Sequence, residues 1–197
     1  SRLLTGDSGC GGDVWIMRNK KYPEMIAEES VSIRAVRRVY QELTGKDASS
    51  LTPKDIYDIA EGIAEGDQQA AVRSFNELGE MAGDAIIRVL NIVDGLVVAG
   101  AAKYILPGIM NEMNRQIGTF AGASFPCLQM EVFNLSEKEA FDKFLEEKDK
   151  MVKIPFSERE VHYACHKKIG IAVSTLGASR AVALGAYSFA LSQLNIL

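Results

Sequence analysis

Two stretches hold residue types capable of chemistry. Between Thr5 and Asp13 the chain reads TGDSGCGGD. Gly9, Gly11 and Gly12 offer backbone N–H groups that a phosphate or a sugar oxygen can approach, because glycine carries no Cβ. Asp13 adds a polar ligand. A Gly-rich run is more often a plain turn, however, and no strand–loop–helix pattern surrounds this one. Asp after Gly is equally an ordinary turn residue. The second stretch is His162, Cys165 and His166, an H-x-x-C-H pattern, with Cys127 elsewhere. Thiol and imidazole donors bind zinc, but these are too few at fixed spacing for a tetrahedral site. Nothing in the sequence orients an imidazole for a Cys–His nucleophile either. We read them as loop and strand residues before Ile169. Glu28 and Glu29 stand near the start of an expected helix, where the macrodipole favours negative charge.

The elements that must position these residues alternate between helical and strand patterns. Val14–Met17 is a short apolar run that suits a strand end. From Pro23 or Glu24 a helix is expected, with Met25, Ile26, Val31, Ile33, Val36, Val39, Tyr40 and Leu43 in helical rhythm and Gly45 as C-cap. Thr52, Pro53 and Asp55 form an N-cap, a first-turn proline and a capping partner, which predicts a helix from Pro53 to about Gly66. A longer helix follows over about 67–91, with an apolar stripe of Val72, Phe75, Leu78, Ala82, Ile86 and Val89. Asp94-Gly95 reads as a turn, and Leu96-Val97-Val98 as a buried strand. A helix over about 103–116, a strand within Cys127–Phe133 and a helix over 136–147 come next. Ser136 and Glu139 are expected to make a capping box for that last helix. Short strands over 151–156 and 169–173 precede an Ala-rich helix over 177–194. Phe75, Met81, Met110 and Met113 have helical spacing and are read as core. The pattern is α/β with a parallel component.

The 197 residues are 47% hydrophobic and 24% charged, with mean hydropathy near zero. That suits one sizeable core rather than two independent domains. A net charge of −4 and a pI near 5.3 argue against a nucleic-acid footprint. The one basic cluster, Arg34, Arg37 and Arg38, reads as a solvated helix face. No apolar run reaches the ~20 residues of a membrane span, and no signal-peptide pattern is present. The chain opens Ser1-Arg2-Leu3-Leu4 without an initiator Met, so we expect either removal of upstream residues or a fragment. Three widely spaced cysteines, Cys10, Cys127 and Cys165, suggest reduced thiols in a cytoplasmic protein.

Three segments carry a family resemblance. The closing stretch Ser174-Thr-Leu-Gly-Ala-Ser-Arg-Ala-Val-Ala-Leu-Gly-Ala-Tyr187 resembles the last strand–turn–helix of ROK proteins. Ala27-Glu-Glu-Ser-Val-Ser-Ile-Arg-Ala-Val36 is similar to that family's Leu-Glu-Ser-x-x-Ser-Gly-x-Ala-Ile segment. The long helix leading into Asp94-Gly-Leu-Val-Val98 resembles the approach to the family's adenosine-side glycine loop. In order and spacing these cover nearly the whole chain. The chain is most similar to a ROK-like group that carries Gly-Gly-Asp-x-Trp and lacks the zinc-binding cysteine run.

The resemblance implies one lobe of an actin-like (ribonuclease H-like) ATPase, a mixed sheet flanked by helices. It makes residues 1–197 the C-terminal half of a sugar kinase whose N-terminal lobe is absent here. It further implies ATP with Mg²⁺, a hexose or related sugar, a cytoplasmic homo-oligomer such as a dimer, no nucleic acid bound by this segment, and no membrane. Glu28 then becomes a carboxylate that accepts hydrogen bonds from sugar hydroxyls, with Glu29 as the register alternative. Gly12 and Asp13 are expected beside the sugar. Gly100, Ala101 and Gly177 are expected beside the nucleotide, with Gly177 and Gly185 allowing close helix packing.

The sequence also departs from the family. Its Asp-x-Gly-Gly-Thr phosphate loop and the Asn-Asp-x-Asn segment with the base do not occur, so this chain alone is not expected to transfer phosphate and no catalytic residue is assigned. Only Cys10 stands where the family has a Cys-x-Cys-Gly-x-x-Gly-Cys run, so no zinc is expected and Trp15 packing is expected to hold the local loop. After Val98 a single glycine, Gly100, replaces a triple-glycine loop. The alternatives to a kinase lobe are a non-catalytic ROK sugar-binding regulator and a plain α/β interaction module.

Overall fold

The computed structural model describes residues 13–90, 96–98, 102–146, 149–164 and 167–194. Two compact units emerge, one of residues 1–94 and 103–129 and one of residues 95–102 and 130–197.

The first unit is built on four helices: α1 (Ile33–Thr44), α2 (Pro53–Ala60), α3 (Gln68–Leu90) and α4 (Ala102–Met113). Helix α1 closes on Gly45 in the left-handed region at φ 67°, whose N–H reaches the Gln41 carbonyl, as its sequence predicts. It starts later than Pro23, because residues 17–30 are tied into a separate polar loop. Ile33 and Leu43, expected inside, are exposed; Ala35, Val36, Val39 and Tyr40 form the buried face. Helix α2 opens on the expected capping box: Thr52 Oγ1 accepts from Asp55 N–H while the Asp55 side chain accepts from Thr52 N–H. It ends at Ala60 instead of near Gly66, because Gly62 turns at φ 73° and Ile63 N–H bonds back to the Asp58 carbonyl.

Helices α3 and α4 approach closely through small residues. A Cβ on Gly79 would overlap the Ile105 carbonyl, and one on Gly108 would overlap the Asn76 carbonyl. Pro107 lies inside α4 next to this contact. Phe75, Met81 and Met113 are buried as expected, and Met110 is half-buried. Tyr57, Phe75 and Tyr104 form an aromatic cluster with centroids 5.8–6.3 Å apart. After α4 a hairpin of β2 (Gln116–Gly118) and β3 (Ser124–Pro126) was not legible from the alternation of residues.

The second unit holds a three-stranded parallel sheet in the order β1-β7-β4, from Leu96–Val98, Lys168–Val173 and Glu131–Asn134. The central strand β7 pairs Val173 with Val98 on one side and Ile169 with Val132 on the other. Ile169 and Ile171 are buried. Helix α5 (Lys138–Leu145) follows β4. The Ser136 capping box does not form. Asn134 organises the turn instead, accepting from Ser136 N–H at 3.1 Å and donating to Glu137 at 2.7 Å, while Glu139 pairs with Lys143. Strands β5 (Asp149–Lys153) and β6 (Glu160–Ala164) make a separate antiparallel hairpin. The parallel and antiparallel components therefore sit in separate small sheets among the described residues. The last helix, α6 (Ala178–Gln193), is exposed along almost its whole length. No described helix is long and apolar enough to cross a membrane.

Candidate functional site

The site builds around two short 3-10 turns in the first unit, Val14–Ile16 and Ala27–Glu29, which pack against each other. Asp13 stands immediately before the first, without a side-chain capping bond, and Glu28 lies on the second, so the structure brings these two expected residues to neighbouring turns. Val14–Ile16 is a 3-10 turn and not a strand end. Trp15 does not anchor it by burial: its indole is 48% exposed and donates to Asp13 Oδ1 at 3.3 Å.

The loop between the turns is held from inside and outside. Asn19, only 2% exposed, donates from Nδ2 to the Ile26 carbonyl at 3.2 Å and to Ser30 Oγ at 2.7 Å. Its Oδ1 accepts from the N–H groups of Lys21 and Tyr22, both at 3.0 Å. Backbone bonds from Ala27 N–H to Met17 O and from Asn19 N–H to Met25 O close the same loop. Two ion pairs then fasten it to the helices. Lys20 meets Glu112 of α4 and Lys21 meets Glu77 of α3, each at 2.6 Å. Burial alone would lower the Lys21 ammonium pKa, but the hydrogen bond and charge of Glu77 outweigh it and hold the group above its ordinary value. Glu112 is 3% exposed and also faces Arg115, whose Nε lies 2.9 Å from Oε1 but off the hydrogen-bond direction. Burying this carboxylate is tolerable because two cations flank it.

Glu28 and Glu29 are distinguished by their partners. Glu29 Oε1 accepts from Arg34 at 3.0 Å, and its carbonyl accepts from Arg38 at 2.8 Å. Glu28 Oε1 lies 3.6 Å from the same Arg34 nitrogen, and its side chain is 41% exposed. Glu29 is thus committed to the protein on both its groups, while the Glu28 carboxylate is the more available acceptor. The basic cluster is not one solvated face. Arg37 donates to the Ser49 carbonyl, and Arg38 stacks over Tyr22 at 5.1 Å and pairs with Glu42.

The remaining expected residues divide. Gly177 precedes α6 at φ 72° with open space where a Cβ would stand, and Gly185 has open space too. These glycines therefore do not create close helix packing; Gly79, Gly83 and Gly108 do that in the first unit. Gly12, Gly100 and Ala101 lie outside the described residues, as do Gly9, Gly11, Cys10, Cys165 and His166. His162 is an exposed residue of β6, and Cys127 is a half-buried free thiol. Among the described residues no three His, Cys, Asp or Glu side chains come together in a way that could hold a metal ion. Sequence reasoning missed Asn19, Lys20 and Lys21. Their only signal was a polar run Arg18–Lys21 where helical periodicity had not yet begun.

The crystal structure of a glucokinase from Parabacteroides distasonis matches the chain at 49% sequence identity with a TM-score of 0.80. The chain shares the fold of half a glucokinase. The match covers 96% of this chain and 52% of that one, so the chain spans about half the length of the glucokinase. No protein-family model matches, and no curated protein does.

Proposed function

We propose that the chain is the C-terminal, sugar- and adenosine-side lobe of an ATP-dependent hexose kinase of the ROK type, with an actin-like fold. The observation that carries this is the 49% identity to a glucokinase over 96% of the chain. At that identity the side chains of a site tend to be kept along with the backbone. The geometry supplies a role for Glu28: a half-exposed carboxylate on a tightly tied turn, able to accept hydrogen bonds from hexose hydroxyls. Asp13 on the neighbouring turn and Gly12 before it would complete the sugar side. Gly100, Ala101 and Gly177 are proposed to line the nucleotide side.

Catalysis in such a kinase is positioning plus electrostatic stabilisation of the transferring phosphoryl group. The part of this lobe is to orient the hexose through Glu28 and to hold ATP. Mg²⁺ neutralises phosphate charge in such reactions. Among the described residues no three His, Cys, Asp or Glu side chains gather to hold it. The phosphate loop and the Asp base are absent from these 197 residues, so the lobe is proposed to be inactive by itself. A cytoplasmic homo-oligomer belongs to the same proposal.

The test is a coupled ADP-release assay on the complete gene product with ATP-Mg²⁺ and a panel of hexoses and N-acetylhexosamines. Hexose-dependent ADP release, lowered at least about tenfold by Glu28→Gln, is expected. Absence of hexose-dependent release would overturn the kinase reading. Thermal stabilisation by a sugar without turnover would replace it with a sugar-binding regulator.

A further inference from the structure

We infer that Asn19 is a positioning residue for the hexose-binding carboxylate of Glu28, an inference that rests on the function proposed above. Glu28 itself is held loosely at its side chain: among the described residues its ion-pair contact is Arg34 at 3.6 Å, and the side chain is 41% exposed. Its position must therefore come from its backbone. That backbone belongs to the 3-10 turn Ala27–Glu29, which lies at the far end of the loop closed by Asn19.

The amide of Asn19 spans that loop. Its oxygen accepts from Lys21 and Tyr22 at the outgoing side, and its nitrogen donates to Ile26 and Ser30, the residues on either side of the Glu28 turn. All four hydrogen-bonding positions of the amide are filled, inside a site 2% exposed. No other side-chain type offers two acceptor and two donor positions in one short planar group at this reach. A carboxylate would lack both donors, and an aliphatic residue would leave four polar groups of the loop unpaired in a buried place. The ion pairs of Lys20 with Glu112 and Lys21 with Glu77 fix the outgoing side of the loop to α4 and α3. Asn19 transmits that fixed position across to the turn. Helices α3 and α4 thus help set where the Glu28 carboxylate stands through an amide that does not touch Glu28, beside the backbone bonds that close the same loop and the Arg38 bond to the Glu29 carbonyl.

A misplacement of an ångström at a binding carboxylate is felt in substrate affinity more than in fold. The experiment measures hexose KM, ATP KM and kcat of the complete gene product for Asn19→Asp and Ser30→Ala, each alone and combined with Glu28→Gln. Asn19→Asp keeps the acceptor for Lys21 and Tyr22 and removes the donors to Ile26 and Ser30. It is expected to raise hexose KM about tenfold with ATP KM unchanged, and Ser30→Ala to act less in the same direction. In the Glu28→Gln background Asn19→Asp is expected to add less than about twofold, because the residue it acts through is already disabled. An unchanged hexose KM, or an equal increase with and without Glu28, overturns the inference and leaves the kinase reading standing. If Asn19→Asp does not fold, Ser30→Ala carries the same comparison by itself, and additivity with Glu28→Gln there is equally fatal. Absence of any hexose-dependent ADP release in the wild type removes both.

Discussion

The two compact units solve the problem of holding together in opposite ways. The first is tied by buried charge and by helix backbones in direct contact: Lys20–Glu112 and Lys21–Glu77 fasten its loop, and Gly79 and Gly108 let α3 and α4 touch. The second keeps a small core around Ile169, Ile171 and Phe133 and leaves much apolar surface in solvent. On α6, Val182, Leu184, Tyr187 and Phe189 are each at least 49% exposed, and the β5–β6 hairpin exposes Met151, Val152, Val161 and Tyr163. Apolar surface of that extent marks places built for contact. The candidate sugar carboxylate thus lies in the unit with the larger buried core.

The comparison breaks most readily at the helix contact. Gly108→Ala inserts a Cβ into the Asn76 carbonyl, backbone against backbone, so neither side has a flexible atom to yield. A loss of about 3 kcal/mol is expected, read by thermal or denaturant unfolding. Amide exchange should quicken in α3 and α4 and stay unchanged in β4, β7 and α5. A global loss of protection would show that the units do not respond separately.

A smaller effect is expected in the second unit at Lys168. Its ammonium donates to the carbonyls of Lys143, Phe144 and Glu146 at the C-terminal end of α5. A cation there completes the helix end and opposes its dipole. Lys168→Met should cost ~1 kcal/mol and quicken exchange in α5 while α1–α4 stay protected.

The smallest effect is a pH dependence confined to the first unit. The Thr52 hydroxyl and N–H hold the Asp55 carboxyl below its ordinary value. The Tyr104 hydroxyl and Lys103 do the same for Glu61. A carboxylate with a depressed folded pKa stabilises fully above its unfolded pKa, and that contribution is lost as pH falls through the folded pKa. The melting-temperature gap between wild type and Asp55→Asn should therefore be constant above about pH 5 and close as pH falls below about 4. A gap that widens on acidification would mean the carboxyl is not held ionised by its cap.

Much of this architecture was legible because it is local. Thr52, Pro53 and Asp55 announce α2 within four residues, and Gly45 ends α1 where it should. The strands at Leu96–Val98 and Lys168–Val173 stand out as short apolar runs. What escaped depends on partners distant in the chain. The start of α1 moved to Ile33 because Asn19 claims residues that helical periodicity would have taken. The β2–β3 hairpin escaped because all six of its residues are exposed and no alternation marks it. Ser136 lost its capping role to Asn134, two residues earlier. Of the candidate site, Glu28 was proposed through a family resemblance, and the structure shows its carboxylate less engaged by protein partners than that of Glu29. The close packing expected at Gly177 is absent; its backbone angle, at φ 72°, is what calls for glycine there.

The strand order of the parallel sheet has a consequence for synthesis of the chain. The middle strand, Lys168–Val173, is the last of the three to be made, and among the described residues β1 and β4 have no other neighbour in the sheet until it arrives. A ribosome that has reached Gln129 has delivered every residue of the helical unit, whose α1, α2 and α3 pack on one another. That unit can form while the sheet still waits for its centre, some forty residues of translation later, with the edges of β1 and β4 open meanwhile. Those two edges, and not the helices, are where a nascent-chain chaperone has work to do.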